Sequence, residues 1–251
     1  MDNKKKRIVI VGATSAIAEH CARQWIQDQA LDLTLVGRDP ERLHRVAGDL
    51  RVRSPASEIR ELLAQFDDAA AIDRTIEGIV ALGPVDIALI AHGALPEQAQ
   101  CEADLQLCRE ALEVNGISPV LFAEAFARRM ARSGKGTLAL IGSVAGERGR
   151  KSNYVYGSAK GLVTRYAQGL QHRFAGSGVK VVLVKAGPTD TRMTAHLKRQ
   201  GAKLAPVEQV ARSIVAAIDA GRPVVYVPAK WQLIMGIIRH LPPFVFNKMN
   251  I

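Results

Sequence analysis

The sequence predicts an α/β fold in which a single doubly wound parallel sheet of about seven strands carries helices on both faces. Short β-rich segments alternate with longer segments of helical pattern, which is typical of successive β-α-β units. The first, fourth and sixth strand segments are nearly continuous runs of Val, Ile, Leu and Ala, as burial on both faces of a sheet requires. No repeat and no low-complexity linker interrupts this alternation.

The predicted elements follow one another in a regular order. The strands are Arg7–Val11, Asp32–Val36, Glu58–Gln65, Asp86–Ala91, Thr137–Gly142, Lys180–Lys185 and Pro223–Val227. The helices are Ala16–Asp28, Glu41–Asp49, Ala69–Leu82, Leu105–Arg132, Tyr154–Phe174 and Val207–Ala220. Ligands of such sheets bind beyond the carboxyl ends of the strands. We therefore expect a site near the residues at those ends, which are Gly12, Arg38, Ala91, Ser143 and Gly187.

Length and composition favour one soluble globular domain. With 251 residues, 48% of them hydrophobic and 23% charged, the chain can bury one sizeable core. No apolar run approaches the roughly 18 residues of a membrane-spanning helix. The amino terminus also lacks the apolar segment of a signal peptide, so we expect a cytoplasmic protein.

Charge and cysteine content narrow the classes of partner. The sequence has 34 basic and 24 acidic residues, a net charge of +10, but its basic residues are scattered and no nucleic-acid recognition motif accompanies them. An anionic cofactor and an anionic membrane surface explain the charge better than nucleic acid does. Cys21, Cys101 and Cys108 have neither metal-ligand spacing nor an even number for disulfides, so we expect no metal site.

The turns after the first two strands point to a phosphate-bearing cofactor. Gly12 permits a tight turn before a helix, whose backbone N–H groups and positive end suit a pyrophosphate, and Thr14 and Ser15 can add hydroxyl contacts. Arg38 follows the second strand, where an NAD-selective fold has a carboxylate. Its fixed charge matches a ribose 2′-phosphate, so we predict NADP(H); the alternative is a solvated arginine in a turn.

The segment Tyr156-Gly157-Ser158-Ala159-Lys160 pairs a phenol with an ammonium. The i, i+4 spacing places the two groups one turn apart on the same helix face. A phenol ionises near pH ~10, and a nearby cation favours its anion, so Tyr156 is predicted to exchange a proton near neutral pH. Ser143, at the end of an apolar run, could hold a carbonyl oxygen beside the phenol. An incidental pair on a solvated helix face is the alternative, which the upstream serine and the Gly12 turn disfavour.

In these motifs the chain resembles the classical short-chain dehydrogenases/reductases, over roughly residues 7 to 228. Gly12–Ala18 is similar to the family's turn T-G-x-x-x-G-I-G, with alanines at 16 and 18 in place of two glycines. Ala91-His92-Gly93 stands where N-N-A-G is usual, and Gln65-Phe66 stands where an Asp-Val pair meets the adenine. Ala186–Thr191 is similar to P-G-x-x-x-T, with Ala186 in place of proline.

The resemblance implies a role for individual residues. The catalytic tetrad would be Asn115, Ser143, Tyr156 and Lys160. The cofactor contacts would be Gly12, Thr14, Ser15, Ile17, Arg38, Gln65, Phe66, Ala91, Gly93, Tyr156, Lys160, Gly187, Thr189 and Thr191. Tyr156 would donate a proton to the alkoxide formed by hydride transfer from NADPH, and Ser143 would bind the same oxygen. Lys160 would lower the phenol pKa and hold the nicotinamide ribose, and Asn115 would support a water-linked proton relay. The family also implies a homodimer or homotetramer.

The end of the chain, residues 229–251, is treated as an apolar basic extension of a cofactor-binding domain at residues 1–228. It holds large aliphatic and aromatic side chains and no acidic residue, and its fixed charges are Lys230, Arg239 and Lys248. A basic apolar helix too short to span a bilayer is typical of an interfacial anchor, which would place the protein at the inner face of the membrane. An equally open alternative is a tail that packs on its own domain or on a second subunit.

A narrower similarity concerns the substrate. Gly142–Arg150 and Ile237–Pro242 are similar to reductases of polyprenyl-phosphoryl 2-keto-pentoses (decaprenylphosphoryl-2-keto-erythro-pentose), which implies a lipid-linked keto-sugar as substrate and places Glu147, Arg148 and Arg150 at its border. A purely structural turn is the alternative for those three residues. The motifs equally allow a 3-oxoacyl or polyketide-type ketoreductase, and a non-catalytic NADP(H)-binding regulator is the alternative from another class.

Overall fold

Seven strands form one parallel sheet in the computed structural model, which describes residues 5–249. The strands are β1 (Lys6–Val11), β2 (Leu31–Gly37), β3 (Glu58–Leu63), β4 (Ile87–Ile90), β5 (Lys135–Ser143), β6 (Gly178–Ala186) and β7 (Val224–Val227). Their order across the sheet is β3-β2-β1-β4-β5-β6-β7, and every neighbouring pair is parallel. The predicted doubly wound sheet is confirmed, and its strand order reverses between β1 and β4.

The helices occupy both faces of the sheet. They are α1 (Ala16–Asp28), α2 (Pro40–Arg53), α3 (Ala69–Ala81), α4 (Gln98–Ala103), α5 (Leu105–Leu112), α6 (Ser118–Ser133), α7 (Tyr154–Arg173), α8 (Ala195–Arg199), α9 (Val207–Asp219), α10 (Lys230–His240) and α11 (Pro243–Phe246). Apolar residues of α1, α2 and α9 bury one face, and those of α3, α6 and α7 bury the other. Successive side chains of β1, Ile8 and Val9, are both fully buried, as the continuous apolar run predicted.

One predicted helix is in fact three elements. The expected helix Leu105–Arg132 consists of α5, a π-helical turn (Glu113–Ile117) and α6. Pro119 lies in the first turn of α6 and has no N–H to donate to the carbonyl four residues earlier. The regular series of α-helical hydrogen bonds is therefore interrupted at this point. The interruption places Asn115 inside the π turn, a local structure that is frequent at functional sites.

The third strand is shorter than predicted. The expected strand Glu58–Gln65 ends at Leu63, because β3 is an edge strand whose single neighbour, β2, ends at the residue paired with it, Gly37. Gln65 and Phe66 therefore follow the strand as loop residues.

The carboxyl-terminal extension folds into α10 and α11 as far as residue 249. Residues 250 and 251, like residues 1–4, lie outside the described range. In the part of the chain that the structure describes, no helix is both long and apolar enough to cross a bilayer.

Candidate active site

A cleft lies at the carboxyl edge of the sheet, where the ends of β4, β5 and β6 meet the first turns of α7. The predicted site residues that line it are Ser15, Ile17, Ala91, Gly93, Asn115, Ser143, Tyr156, Lys160, Gly187, Thr189 and Thr191. They are distant in sequence and meet because parallel strands place their carboxyl ends at the same edge. The structure thus assembles all four members of the predicted tetrad in one cavity.

The remaining predicted residues lie outside this cleft. Arg38 and Phe66 line a neighbouring cleft, and Ala94 lines both cavities. Gly12, Thr14 and Gln65 line neither cavity. Gly12 instead makes the turn possible: its φ is +80°, and a Cβ there would lie 2.6 Å from the backbone nitrogen of His92.

Lys160 is a buried ammonium held beside Tyr156. Its Nζ donates to the carbonyl of Ile141 at 3.1 Å and lies 5.9 Å from the centroid of the Tyr156 ring. The side chain reaches this depth because α7 approaches the turn after β5 closely; a Cβ on Gly157 would lie 2.9 Å from the carbonyl oxygen of Ala145. Burial lowers the pKa of Lys160 to about 8, since the charged form loses its hydration.

The pKa of Tyr156 differs from the expectation. The spacing predicted that Lys160 would lower it, but in the structure burial raises the pKa of the phenol, and a hydrogen bond with Ser143 offsets only part of that rise. The Lys160 ammonium is directed to the Ile141 carbonyl and lies 5.9 Å from the centroid of the phenol ring. The Tyr156 phenol is therefore fully protonated at neutral pH, the form that a proton donor needs.

Ser143 is fixed by the two strand ends that it joins. Its Oγ accepts from the backbone N–H of Ala145 at 3.1 Å and donates to the carbonyl of Ala186 at 3.3 Å. Ser143 is the last residue of β5 and lies opposite Ala186 in the β5–β6 register. The hydroxyl therefore has a defined position next to the phenol.

Asn115 links the π turn to the loop that follows β4. Its Oδ1 accepts from the backbone N–H of Ala94 at 2.9 Å, and its Nδ2 donates to the carbonyl of Ala111 at 2.9 Å. A Cβ on Gly93 would lie 2.8 Å from Asn115 Oδ1, so the close approach needs glycine. This side chain therefore holds the loop that follows β4, and the predicted proton relay stays a prediction.

Arg38, which follows β2, and Phe66, which follows β3, were both predicted to contact the cofactor, but they differ in exposure. The Arg38 guanidinium is exposed and lies over the Phe66 ring at 5.6 Å. Phe66 is buried and packs edge-on against His92 and Phe122, with ring centroids 4.8 Å and 4.9 Å away. Phe66 is thus mainly a core residue that supports Arg38, whereas Gln65 is exposed. Burial lowers the pKa of His92 to about 3, so this ring is neutral.

Of Glu147, Arg148 and Arg150, which were expected to border the substrate, only Arg150 lines the cleft, and its contact with a substrate stays a prediction. Glu147 is buried in an ion pair with Lys185. Arg148 turns away and donates to the carbonyls of Ile238 and Leu241 in the tail, each at 2.6 Å. The similarity to the polyprenyl-phosphoryl 2-keto-pentose reductases lies in this segment. The sequence alone did not show which of its charged side chains would be engaged in contacts within the fold.

The cleft also contains residues that sequence reasoning did not single out. They are His92, Ala94, Leu95, Ile141, Gly142, Val144, Ala145, Asn153, Pro188, Met193, Thr194 and Leu197. Thr194 is part of the local structure around Thr191, since its Oγ1 accepts from the Thr191 backbone N–H at 3.1 Å. Most of these are apolar, and no motif identifies apolar lining before the fold is known.

Comparisons with known proteins identify the family of the chain. The profile of the family described as short chain dehydrogenase matches residues 6–202. An uncharacterized oxidoreductase of Mycobacterium tuberculosis (strain CDC 1551 / Oshkosh) is 32% identical over 244 residues, covering 96% of each chain. An uncharacterized oxidoreductase of Streptomyces coelicolor is 29% identical over 245 residues, covering 97% of this chain and 96% of its own.

Two solved structures show the same fold at low sequence identity. Levodione reductase superimposes with a TM-score of 0.82 at 17% identity, covering 92% of this chain and 98% of its own. A short-chain dehydrogenase from Sphingobium yanoikuyae in complex with NADPH has a TM-score of 0.79 at 22% identity, covering 97% of this chain and 96% of its own.

Proposed function

The chain belongs to the short chain dehydrogenase family of oxidoreductases, and from this premise we propose that it reduces a ketone to a secondary alcohol with NADPH. The observation that carries the proposal is the convergence of Ser143, Tyr156, Lys160 and Asn115 on one cleft at the carboxyl edge of the sheet. A phenol that burial keeps protonated, next to a fixed hydroxyl, suits the delivery of a proton to a nascent alkoxide.

The residues present fit a nicotinamide dinucleotide. Ser15 is the N-cap of α1 but makes no side-chain cap hydrogen bond, so backbone N–H groups of the first turn stay open towards the cleft that Ser15 and Ile17 line. Lys160 is a buried cation that lines the cleft, and we propose that it holds the nicotinamide ribose. The cofactor, when bound, supplies the hydride; the chain supplies binding, orientation and the proton.

The proton transfer follows from the chain's own groups. Tyr156 releases its proton to the substrate oxygen, while the Ser143 hydroxyl turns its single proton from the Ala186 carbonyl to that oxygen and stabilises the charge that develops there. The positive charge of Lys160 then favours the phenolate that remains, although it does not set the resting pKa of the phenol. Asn115 is the residue that we propose as support for reprotonation from solvent.

The proposal is tested by NADPH oxidation over a panel of carbonyl compounds. The panel includes simple cyclic ketones, 3-oxoacyl thioesters and a polyprenyl-phosphoryl 2-keto-pentose, so that each alternative substrate class has a representative. If the lipid-linked sugar is reduced with the highest kcat/KM, the result supports a lipid-linked keto-sugar as the substrate. Preference for the thioester supports the 3-oxoacyl or polyketide-type ketoreductase. Binding of NADPH with no oxidation of any compound would favour the non-catalytic regulator.

We propose NADP(H) over NAD(H) because of Arg38, whose exposed guanidinium is held over Phe66 at the rim of the neighbouring cleft. Arg38→Asp is expected to weaken NADPH binding about tenfold or more, since a charge-assisted contact is lost and a repulsion is added. NADH binding should be retained. Titration of both cofactors by fluorescence measures this, and Arg45→Asp, an equal charge change at an exposed position of α2, is the matched control. An unchanged NADPH preference in Arg38→Asp would contradict the assignment.

We further propose that α10 and α11 attach the protein peripherally to an anionic membrane that carries the lipid-linked substrate. Large apolar side chains point outward from this segment: Leu233, Ile237 and Phe244 are 73%, 58% and 70% exposed. The segment carries no acidic residue and three fixed cations. Apolar insertion and charge attraction of about 1 kcal/mol per cation together suit reversible attachment.

Replacing Leu233, Ile237 and Phe244 together by Gln is expected to abolish co-sedimentation with phosphatidylglycerol vesicles. NADPH binding should persist, because none of the three residues lines the cleft. Val52→Gln, at an 81% exposed apolar position on α2, is the matched control and should leave sedimentation unchanged. Added salt should weaken attachment only partly, since it screens the charges and not the apolar contacts. A wild-type protein that ignores these vesicles would overturn the proposal.

The family also leads us to propose a homodimer or homotetramer. Leu105 and Leu107 on α5 and Leu162 on α7 are large apolar side chains that a second copy would cover, since they are 84%, 40% and 42% exposed in the single chain.

A further inference from the structure

A cluster of charged side chains is buried behind the catalytic serine. Glu147 and Lys185 form an ion pair in which the side chains are only 2% and 6% exposed. The hydroxyl of Tyr226 donates to the same oxygen of Glu147 at 2.6 Å and accepts from Lys185 Nζ at 3.2 Å. Two charges withdrawn from water are costly unless they are paired, so each holds the other in place.

The cluster joins the two chain segments that hold the Ser143 hydroxyl. Glu147 ends the 3₁₀ turn (Val144–Glu147) that begins directly after Ser143, and this turn supplies the Ala145 N–H that Ser143 accepts. Lys185 precedes Ala186, whose carbonyl accepts from Ser143. The ion pair therefore ties together both hydrogen-bond partners of one catalytic hydroxyl.

The tail covers the cluster from outside. Arg239 Nε, on α10, lies 3.8 Å from the second carboxylate oxygen of Glu147. The neighbouring Arg148 donates to two tail carbonyls and lies 3.8 Å above the centroid of the Phe246 ring. Trp231, also on α10, packs so closely on Gly187 that a Cβ there would lie 2.1 Å from its indole nitrogen. The inner side of the tail thus shields the ion pair from water.

We propose that Glu147 and Lys185 are positioning residues that set the place of the Ser143 hydroxyl, with α10 as the cover that keeps their ion pair dry. The inference rests on the proposed role of Ser143 in ketone reduction. Without the pair, the turn after Ser143 is tied to the end of β6 only through the β5–β6 ladder, and the hydroxyl is held less firmly where the substrate oxygen will be.

The competing explanation is that the cluster only stabilises the fold, and a pair of variants separates the two. Glu147→Gln leaves the Lys185 ammonium buried without a counter-charge, so it should lower both the melting temperature and kcat. The double variant Glu147→Gln/Lys185→Met has no unpaired charge and should regain most of the lost stability. Its kcat should remain about tenfold or more below wild type, because a misplacement of ~1 Å in an active site can cost up to ~10²-fold. Recovery of kcat together with stability would overturn the proposal.

A Ser143→Ala background tests whether the effect passes through the serine. There the double variant should cause no further loss of kcat, whereas a general distortion of the cleft would reduce kcat again. NADPH affinity, measured by fluorescence, should change less than about twofold throughout, since Ser15, Ile17 and Lys160 are untouched. A further drop of kcat in the Ser143→Ala background would contradict the positioning role.

The pKa of Tyr156 can be measured without any substrate. It therefore tests the positioning role even if the proposed ketone reduction is wrong. Because the hydrogen bond with Ser143 lowers the pKa of Tyr156, a displaced hydroxyl should raise that pKa further. NMR titration of ring-labelled tyrosine, assigned with Tyr156→Phe, measures it in the double variant. The positioning role is supported, even if no substrate is found, when the double variant raises the Tyr156 pKa in the presence of Ser143 but not in the Ser143→Ala protein. An unchanged Tyr156 pKa in the double variant overturns it.

Discussion

Tyr156→Phe is expected to lower kcat by ~10²–10⁴-fold, the usual contribution of a positioned general acid. The change removes only the phenolic oxygen, so the ring keeps its place in the first turn of α7 beside Lys160. NADPH affinity should stay within about twofold, because the variant removes an interaction made mainly in the transition state. Steady-state kinetics with a substrate from the carbonyl panel, together with fluorescence titration of NADPH, provide the measurement.

Tyr154→Phe is the matched control for that variant. Tyr154 lies two residues earlier in the same helical turn, is 44% exposed and does not line the cleft. Its loss of a hydroxyl should change kcat less than about threefold, since no proton transfer depends on it. If Tyr156→Phe retained more than roughly a tenth of the wild-type kcat, the assignment of Tyr156 as the acid would be wrong.

Lys160→Met is expected to eliminate most turnover and to make the folded protein more stable. The buried ammonium has a pKa of about 8 in place of 10.5, so at neutral pH the fold carries the cost of a charge that it disfavours. One pKa unit corresponds to ~1.4 kcal/mol, which puts this cost at about 3 kcal/mol. Methionine fills a similar volume without charge, and active sites commonly gain stability when such a group is removed. Urea unfolding of both proteins at pH 7 measures the difference.

The stability gain should depend on pH in a defined direction. Below about pH 8 the ammonium is charged in both the folded and the unfolded wild type, so the full cost is present. Between about pH 8 and 10.5 the unfolded chain binds more protons at this position, and the wild type becomes more stable as the pH rises. The advantage of Lys160→Met should therefore shrink across that range. Lys151 is an exposed lysine, so Lys151→Met should show no such pH-dependent gain in stability. If the wild type were more stable than Lys160→Met at pH 7, burial of the Lys160 ammonium would not destabilise the fold.

Several elements were predictable because local pattern and tertiary environment agree. The apolar runs of β1, β4 and β6 could be recognised since strands buried on both faces need apolar side chains at successive positions. The glycine at position 12 and the four-residue spacing of Tyr156 and Lys160 are likewise local features. Leu105–Arg132 failed as one helix because the backbone constraint of a single proline outweighed a helical pattern on both sides of it.

By itself, the sequence determined the α/β class, the order of the strands along the chain and the candidate reacting side chains, because these depend on periodicity and short spacings. Only the tertiary structure decided what those side chains experience. Burial reverses the direction expected for the Tyr156 pKa, and Glu147 is taken from the substrate border into a dry ion pair with Lys185. Phe66 packs in the core and also lines the cleft beside Arg38, and the adenine contact expected of it stays a prediction. Desolvation and long-range pairing depend on which distant segments meet, and a one-dimensional pattern does not contain that information.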